Sequence, residues 1–416
     1  MSLASLVVAA SFLAVPGAEP DLAALAARAT AGQELDAAAA VAALREAGPA
    51  GLQALLVREG DHGPRWQRAV DAVAAQKDAG VSGLYWYTDL DRAIGAARAS
   101  GRPILSLRLL GRLDQEASCA NSRFFRTVLY ANEAVARALR EGFVLHWQSE
   151  RPVPKVTIDM GDGRRLAGTV TGNSIHYVLD SSGRVVDGLP GLYGPQAFLR
   201  VLGEAARTAR EAAPLQGVAW QQLMARRHRT APAAAAVDAP RLPVAVSAPG
   251  RAPSALAAGD LARTKAVVEA PLLRRLRTVR PGEALTLETR ATPRPAASFR
   301  AQCRLDARSR AVVVRKQEQW ARAAGLPAPS PAAIVEAVER SLAEDTARNE
   351  TQLRPRLRAW LAGGAGTSLE ALNERVYAEL FLTPSSDPWL GLVSPDAFAA
   401  LDPQAAQQQA LATPRP

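Results

Sequence analysis

Between Asp89 and Arg210, short apolar runs bounded by turn residues alternate with stretches of helical period, and no other feature of the sequence limits the fold as much. Strands and helices alternating in this way build a mixed or parallel sheet covered on both faces. Asp89 to Ser100 has helical spacing with Asp89 as cap, and Gly101-Arg102-Pro103 stops it. Ile104 to Leu110 reads as a buried strand. The polar loop Gly111 to Ala117 leads through Ser118 into a long helix, Cys119 to Arg140. Further strands are predicted over Phe143–Trp147, Lys155–Asp159, Leu166–Thr171 and Ile175–Leu179. The turn Asp180-Ser181-Ser182-Gly183 follows, then Arg184 to Asp187, and Gly194-Pro195 opens a closing helix, Gln196 to Arg210.

The chain has 416 residues, 48% of them hydrophobic, which is too much material for one core. Residues 1–18 form an apolar stretch ending in small residues and resemble a secretory signal, so export to the periplasm or exterior is expected. Residues 19–80 read as a helical segment, 81–212 as the α/β domain and 213–260 as a Pro/Ala-rich linker, densest from Ala231 to Ala258. A mainly helical C-terminal domain is expected over 261–403, with a disordered tail over 404–416. In that domain Leu261–Leu276 has a helical pattern, while Ala284–Glu288, Phe299–Leu305 and Ala311–Lys316 read as strand or hairpin pieces. Helices are expected over Gln317–Ala324, over Pro331–Leu361 with a bend near Pro355, and over Ser368–Phe381 with Ser368 as cap.

Two cysteines, Cys119 and Cys303, are too few for a disulfide framework, and spacing alone does not decide whether they bridge each other. Cys119 opens Cys119-Ala120-Asn121-Ser122 at a strand-to-helix junction. There, unpaired backbone N–H groups and the positive end of the helix dipole stabilise a thiolate. A buried small hydrophobe is the competing reading of the same residue. Cys303 reads as structural, and His146 as a strand residue without chemistry.

Pro103 to Leu107, Cys119 to Ser122, Glu133-Ala134-Val135, Gly142-Phe143-Val144, Tyr177 to Asp180 with Gly183-Arg184, and Leu189-Pro190-Gly191 occur in this order across Leu84 to Leu202. In that order they resemble the thioredoxin-like superfamily. The resemblance implies an α/β thioredoxin-like central domain, a mixed sheet with helices on both faces. It makes Cys119 the nucleophile and puts Ser122 where a resolving cysteine would stand. A domain so altered cannot release its own mixed disulfide and needs an external protein or low-molecular-weight thiol. Where the family carries a cis-proline this chain has Gly172-Asn173-Ser174-Ile175, and the bond there is expected to be trans.

His176 follows at once and is a candidate to hold Cys119 as thiolate or to protonate a leaving thiol; an ordinary packed strand histidine is the alternative. Ser122 is expected to donate a hydrogen bond to the thiolate. The favoured expectation is monothiol thiol-disulfide exchange through Cys119, with Ser122 and His176 assisting. The loop Gly111–Ala117 and Phe143–Trp147 also resemble UAS domains, binding modules of the same fold without redox catalysis. On that view Arg108, Arg112, Arg123 and Trp147 are candidate contact residues.

The net charge of +10 is spread over scattered arginines, and the densest cluster, Arg226-Arg227-His228-Arg229, lacks any nucleic-acid motif. No nucleic-acid partner is expected. Beyond the N-terminal stretch no apolar run is long enough to span a membrane. No cofactor is expected, since no Gly-rich phosphate loop appears, and no metal, since the Cys/His spacing falls short of a zinc set. Glu336, Glu339, Glu344, Asp345 and Glu350 read as a solvated helix face, and Asp387-Pro388-Trp389 as a loop anchored by its tryptophan.

Overall fold

The computed structural model describes residues 21–229 and 297–390, apart from 32, 33, 61, 160, 164, 170, 171, 324, 326 and 389. The signal-like stretch, the Ala231–Ala258 linker, the elements expected at Leu261–Leu276 and Ala284–Glu288, the 404–416 tail and Trp389 lie outside the described residues. The chain divides into two compact units at Ala74/Ala75.

Among its described residues the first unit holds four helices, α1 (Leu22–Thr30), α2 (Glu34–Glu46), α3 (Pro49–Leu56) and α4 (Pro64–Ala74). Their spaced apolar residues Leu44, Leu52, Leu55, Val70 and Val73 are fully buried. The Trp66 indole N–H donates to the Leu55 carbonyl at 3.0 Å, which lets its ring pack without an orphaned donor.

The second unit is built on a four-stranded mixed sheet. After the short helix α5 (Ala79–Ser82), α6 (Leu90–Ser100) starts at Asp89, whose side chain accepts from the Arg92 N–H at 2.8 Å. Next come β1 (Ile104–Leu110), α7 (Ala120–Phe124), a π-helical turn over Phe125–Leu129, α8 (Glu133–Gly142) and β2 (Val144–Arg151). A separate hairpin, β3 (Lys155–Asp159) with β4 (Arg165–Thr169), connects to β5 (Ser174–Leu179) and β6 (Val185–Pro190). The sheet order is β2-β1-β5-β6, with β1 parallel to β2 and antiparallel to β5, and β5 antiparallel to β6. Tyr87 adds one bridge on the outer side of β2. The long helix expected from Cys119 to Arg140 is two helices, because Asn132 accepts from the Val135 N–H at 3.1 Å and caps a new start.

After β6 the chain forms α9 (Pro195–Ala212), α10 (Gly217–Arg229), α11 (Ala297–Gln302), α12 (Ala307–Ala323), α13 (Pro331–Arg348), a π turn over Asn349–Leu353, α14 (Arg354–Ala362), α15 (Leu369–Arg375) and a π turn over Val376–Leu380. Four sequence expectations change here. Residues 217–229 are helix rather than linker, because Trp220, Leu223 and Met224 are buried against the sheet core. Phe299–Leu305 and Ala311–Lys316 are not strands. The first is mostly α11, and in α12 only Val312 of the triplet Val312-Val313-Val314 is fully buried, so packing overrides β-branched propensity. The C-terminal helices share the sheet's cores rather than forming a domain of their own.

Each sheet face is covered by elements distant in sequence. Leu105, Leu107 and Leu109 point to one face, under α7 to α10, α11 and α13. Ile104 and Leu110 point to the other, where α6, α14, α15 and the chain up to Leu390 close the core. Because β3–β4 rather than a helix joins β2 to β5, this second face takes much of its cover from Leu353–Leu390. The approach is close at Gly194: a Cβ there would lie 2.5 Å from the Gln302 carbonyl oxygen and closer still to Cys303 Sγ. The acidic face expected on α13 is only partly solvated. Asp345 and Glu350 are buried, the latter 3.6 Å from Arg354, which also meets Asp187 at 2.7 Å.

Candidate functional site

β1 ends at Leu110, and Gly111, with φ +74°, turns the chain out of the sheet. The loop returns at Ser118, whose carbonyl accepts from the Thr169 hydroxyl at 3.1 Å. Cys119 is then the N-cap of α7, and its Sγ accepts from the Ser122 backbone N–H at 3.4 Å. A thiol here fills the place usually held by a Ser, Thr, Asp or Asn oxygen. The Ser122 hydroxyl accepts from the Ser118 hydroxyl at 2.9 Å, while the Ser122 amide donates to the sulfur. Asn121 donates to the Ser174 hydroxyl at 2.7 Å and ties the cap to the start of β5. Cys119 is 0% exposed, packed with Leu110, Val153, Ile175 and the 372–390 segment.

His176 stands on the other side of the sheet. Side chains alternate along β5, and Ile175 and Tyr177 share the core that holds Cys119, while His176 points oppositely and packs edge-on against Phe125 and Phe198. Its Nε2 meets the Tyr130 hydroxyl at 2.6 Å, and its Nδ1 has no hydrogen-bond partner. Burial lowers its pKa to about 3, so the ring is neutral at pH 7. It therefore does not pair with Cys119, contrary to the sequence expectation. His146 bonds through Nδ1 to Ser106 at 2.9 Å, and burial, with the nearby Arg108 charge, lowers its pKa to about 3.

The carboxyl ends of the parallel strands β1 and β2 and the start of β5 lie at one edge of the sheet. Residues of α15 and of the chain after it cover this edge. Arg151, at the end of β2, donates to the carbonyls of Asp387 at 2.7 Å and Thr383 at 2.8 Å. Asn173 donates to the Thr383 hydroxyl at 3.0 Å and to the Phe381 carbonyl at 3.4 Å. The Asn173 carbonyl accepts from the Tyr377 hydroxyl at 3.2 Å, and Tyr177 donates to Asn373 at 3.3 Å. Arg108, the one charge in an otherwise nearly apolar strand, is wholly buried. Its guanidinium donates to both Glu370 oxygens at 2.6 and 3.1 Å and to Glu150 at 3.2 Å.

No protein-family model, curated protein or solved structure matches the chain.

Of the candidate contact residues, Arg108 is an internal ion-pair partner and Trp147 is buried, its indole donating to the Ala75 carbonyl at 2.8 Å. Arg112 pairs with Asp114 at 2.6 Å and lies over the Trp147 ring, and Arg123 is half-buried. Neither cysteine is in a disulfide. Cys303 packs against Gly194 and sits 3.4 Å from the Thr346 hydroxyl, and burial pushes its thiol up to about 12. Arg226 and Arg227 both meet Glu211, which neutralises part of the basic cluster. Among the described residues no group of three or more His, Cys, Asp or Glu is placed to hold a metal ion, and no helix is long and apolar enough to cross a membrane. Arg151, Asn173 and Thr383 were not singled out from sequence. Arg108 carried the available signal, because a charge in a buried strand requires an acidic partner.

Proposed function

We propose that the Ala75–Leu390 unit is a thioredoxin-like binding module in which Cys119 is a structural cap rather than a turnover thiol. Support for the fold comes from the β2-β1-β5-β6 order, the parallel β1–β2 pair, the parallel Tyr87 bridge beyond β2 and a helix start carrying Cys119 after β1. The observation that carries the functional reading is the complete burial of Cys119, with its sulfur spent on the Ser122 amide. A disulfide substrate must approach the attacking sulfur in line, and a sulfur with no exposed surface offers no such path.

The helix-start position favours a second reading, monothiol exchange with a protein or small thiol partner. Glutathione disulfide separates the two. The native protein is incubated with it at pH 8 and glutathionylation of each cysteine is quantified by peptide mass spectrometry. Cys119 is expected to stay unmodified until denaturant unfolds the unit. Modification of native Cys119 at the rate of an unfolded-chain cysteine overturns the module reading in favour of exchange. Residues 1–18 are proposed as a secretory signal on sequence alone, and Glu19 as the first residue of the exported protein tests that.

A further inference from the structure

We propose that a cavity in the first helical unit is a binding site for a small soluble anion carrying at least two phosphate groups. The cavity has a volume of about 570 Å³ and lies where the loop after α3 meets the start of α4, lined by Arg58, Arg65, Arg68, Trp66 and Thr30 among others. Sites for small molecules span about 300–1,000 Å³, so such an anion has room here. The cavity belongs wholly to the first unit and is independent of the role of Cys119.

Charge identifies the ligand class. Three guanidiniums line the cavity, and none of its described lining residues is acidic. Arg65 and Arg68 are neighbours on α4 at i, i+3 spacing, and Arg58 reaches the same space from the loop. Among the described residues none of the three pairs with a carboxylate; Glu59, in the same loop, is exposed and makes no ion pair. By contrast Arg226 and Arg227, the densest basic pair in the sequence, share Glu211. Like charges gathered without a counter-ion repel one another, and a bound anion relieves that repulsion. The planar guanidinium fork matches phosphate oxygens, with two parallel N–H donors per contact. One phosphate group carries about −1.5 to −2 at pH 7, and two together offset three arginines.

The loop and the helix are held in register around this space. The Trp66 indole donates to the Leu55 carbonyl at 3.0 Å, which fixes the ring as a wall. His62 stacks on that ring at 4.1 Å, and its Nε2 donates to the Arg58 carbonyl at 3.3 Å. The loop that carries Arg58 is thereby tied to the helix that carries Arg65 and Arg68. The N-terminal end of α4 adds a smaller field of the same sign.

Calorimetric titration of the full-length chain with sodium pyrophosphate, at pH 7.5, low salt and without divalent metal, tests the site. One saturable event is expected, with orthophosphate bound about ten-fold more weakly. Arg58→Gln, Arg65→Gln and Arg68→Gln should each weaken pyrophosphate binding by about ten-fold, and the triple variant should abolish it. Urea midpoints of the single variants should stay at the wild-type value, since none of the three side chains supports the core. Arg226→Gln combined with Arg227→Gln, outside the cavity, should bind pyrophosphate as wild type does. Absence of a saturable event in the wild-type chain overturns the proposal, as does unchanged affinity in all three folded single variants. An equal loss in the Arg226/Arg227 double variant overturns it too, because it marks diffuse attraction to a basic chain rather than a site.

Discussion

Glu370→Ala tests how much of the second face's closure depends on one ion pair. The Glu370 carboxylate takes two charge-assisted hydrogen bonds from Arg108, at 2.6 and 3.1 Å, in a bidentate arrangement. Glu370 is 65% exposed, so on its side the pair resembles a surface bridge worth about 0.2–1 kcal/mol. Arg108 is 0% exposed and cannot regain water when its partner leaves, and breaking a buried pair costs about 3–5 kcal/mol. Glu150 stays at 3.2 Å and offsets part of that loss. The expected net destabilisation lies between the limits, about 2 kcal/mol, or roughly thirty-fold in the folded-to-unfolded ratio. Urea denaturation of wild type, Glu370→Ala, Arg108→Met and the double variant closes a cycle. In the Arg108→Met background the Glu370 substitution should be nearly silent, giving a coupling of about 2 kcal/mol. A coupling under about 0.5 kcal/mol would refute the assignment of Arg108 to Glu370 as the tie between sheet and α15.

Three further outcomes follow from the packing. His146 and His176 are held near pKa 3 in the fold against 6.5 unfolded, so between about pH 6.5 and 3 the unfolded chain binds more protons; stability should fall on acidification by up to about 1.4 kcal/mol per pH unit for each, and His176→Phe should flatten the dependence of the urea midpoint on pH. Gly194→Ala places a methyl against the Gln302 carbonyl and Cys303, and a loss of about 1–3 kcal/mol is expected in thermal or urea melts; a wild-type midpoint contradicts the close approach. Asp187→Ala removes the nearer carboxylate from the buried Arg354 guanidinium and leaves Glu350 at 3.6 Å, so a loss at the lower end of about 3–5 kcal/mol is expected, and an unchanged melt would rule out that pair as a support for α14.

The central strands were legible because each is a short apolar run closed by turn residues, and local pattern sets local structure there. Their bounds shifted by a few residues at most, as for Phe143–Trp147, which runs as Val144–Arg151. The helix break at Asn132 was also written locally, in the cap it forms before Glu133, although the sequence was read as continuous. The strand reading of Ala311–Lys316 failed for a different reason: three successive valines favour a strand in isolation, while burial of Ser309 and Val312 on one side of α12 favours a helix. The relation of His176 to Cys119 was beyond local reading. Alternation along β5 assigns His176 the face opposite Ile175, but the face that receives Cys119 depends on the path of the loop after Leu110. The burial of Cys119 depends on residues more than 250 positions later, and no pattern near the motif announces them.

The division of labour between the two faces of the sheet also sets an order of events during synthesis. The strands are complete once Pro190 is made, yet α14 and α15, which close the Ile104 face, follow only at Arg354–Arg375. At about 5–20 residues per second, translation takes on the order of 10–40 s to supply that cover. During that interval the nascent sheet has an apolar face without its final partner, so a chaperone or the ribosome surface has a defined time in which to act. Premature termination between Pro190 and Leu369 yields a chain whose strands are intact but whose second face cannot close, and such products are expected to be aggregation-prone and cleared by proteases.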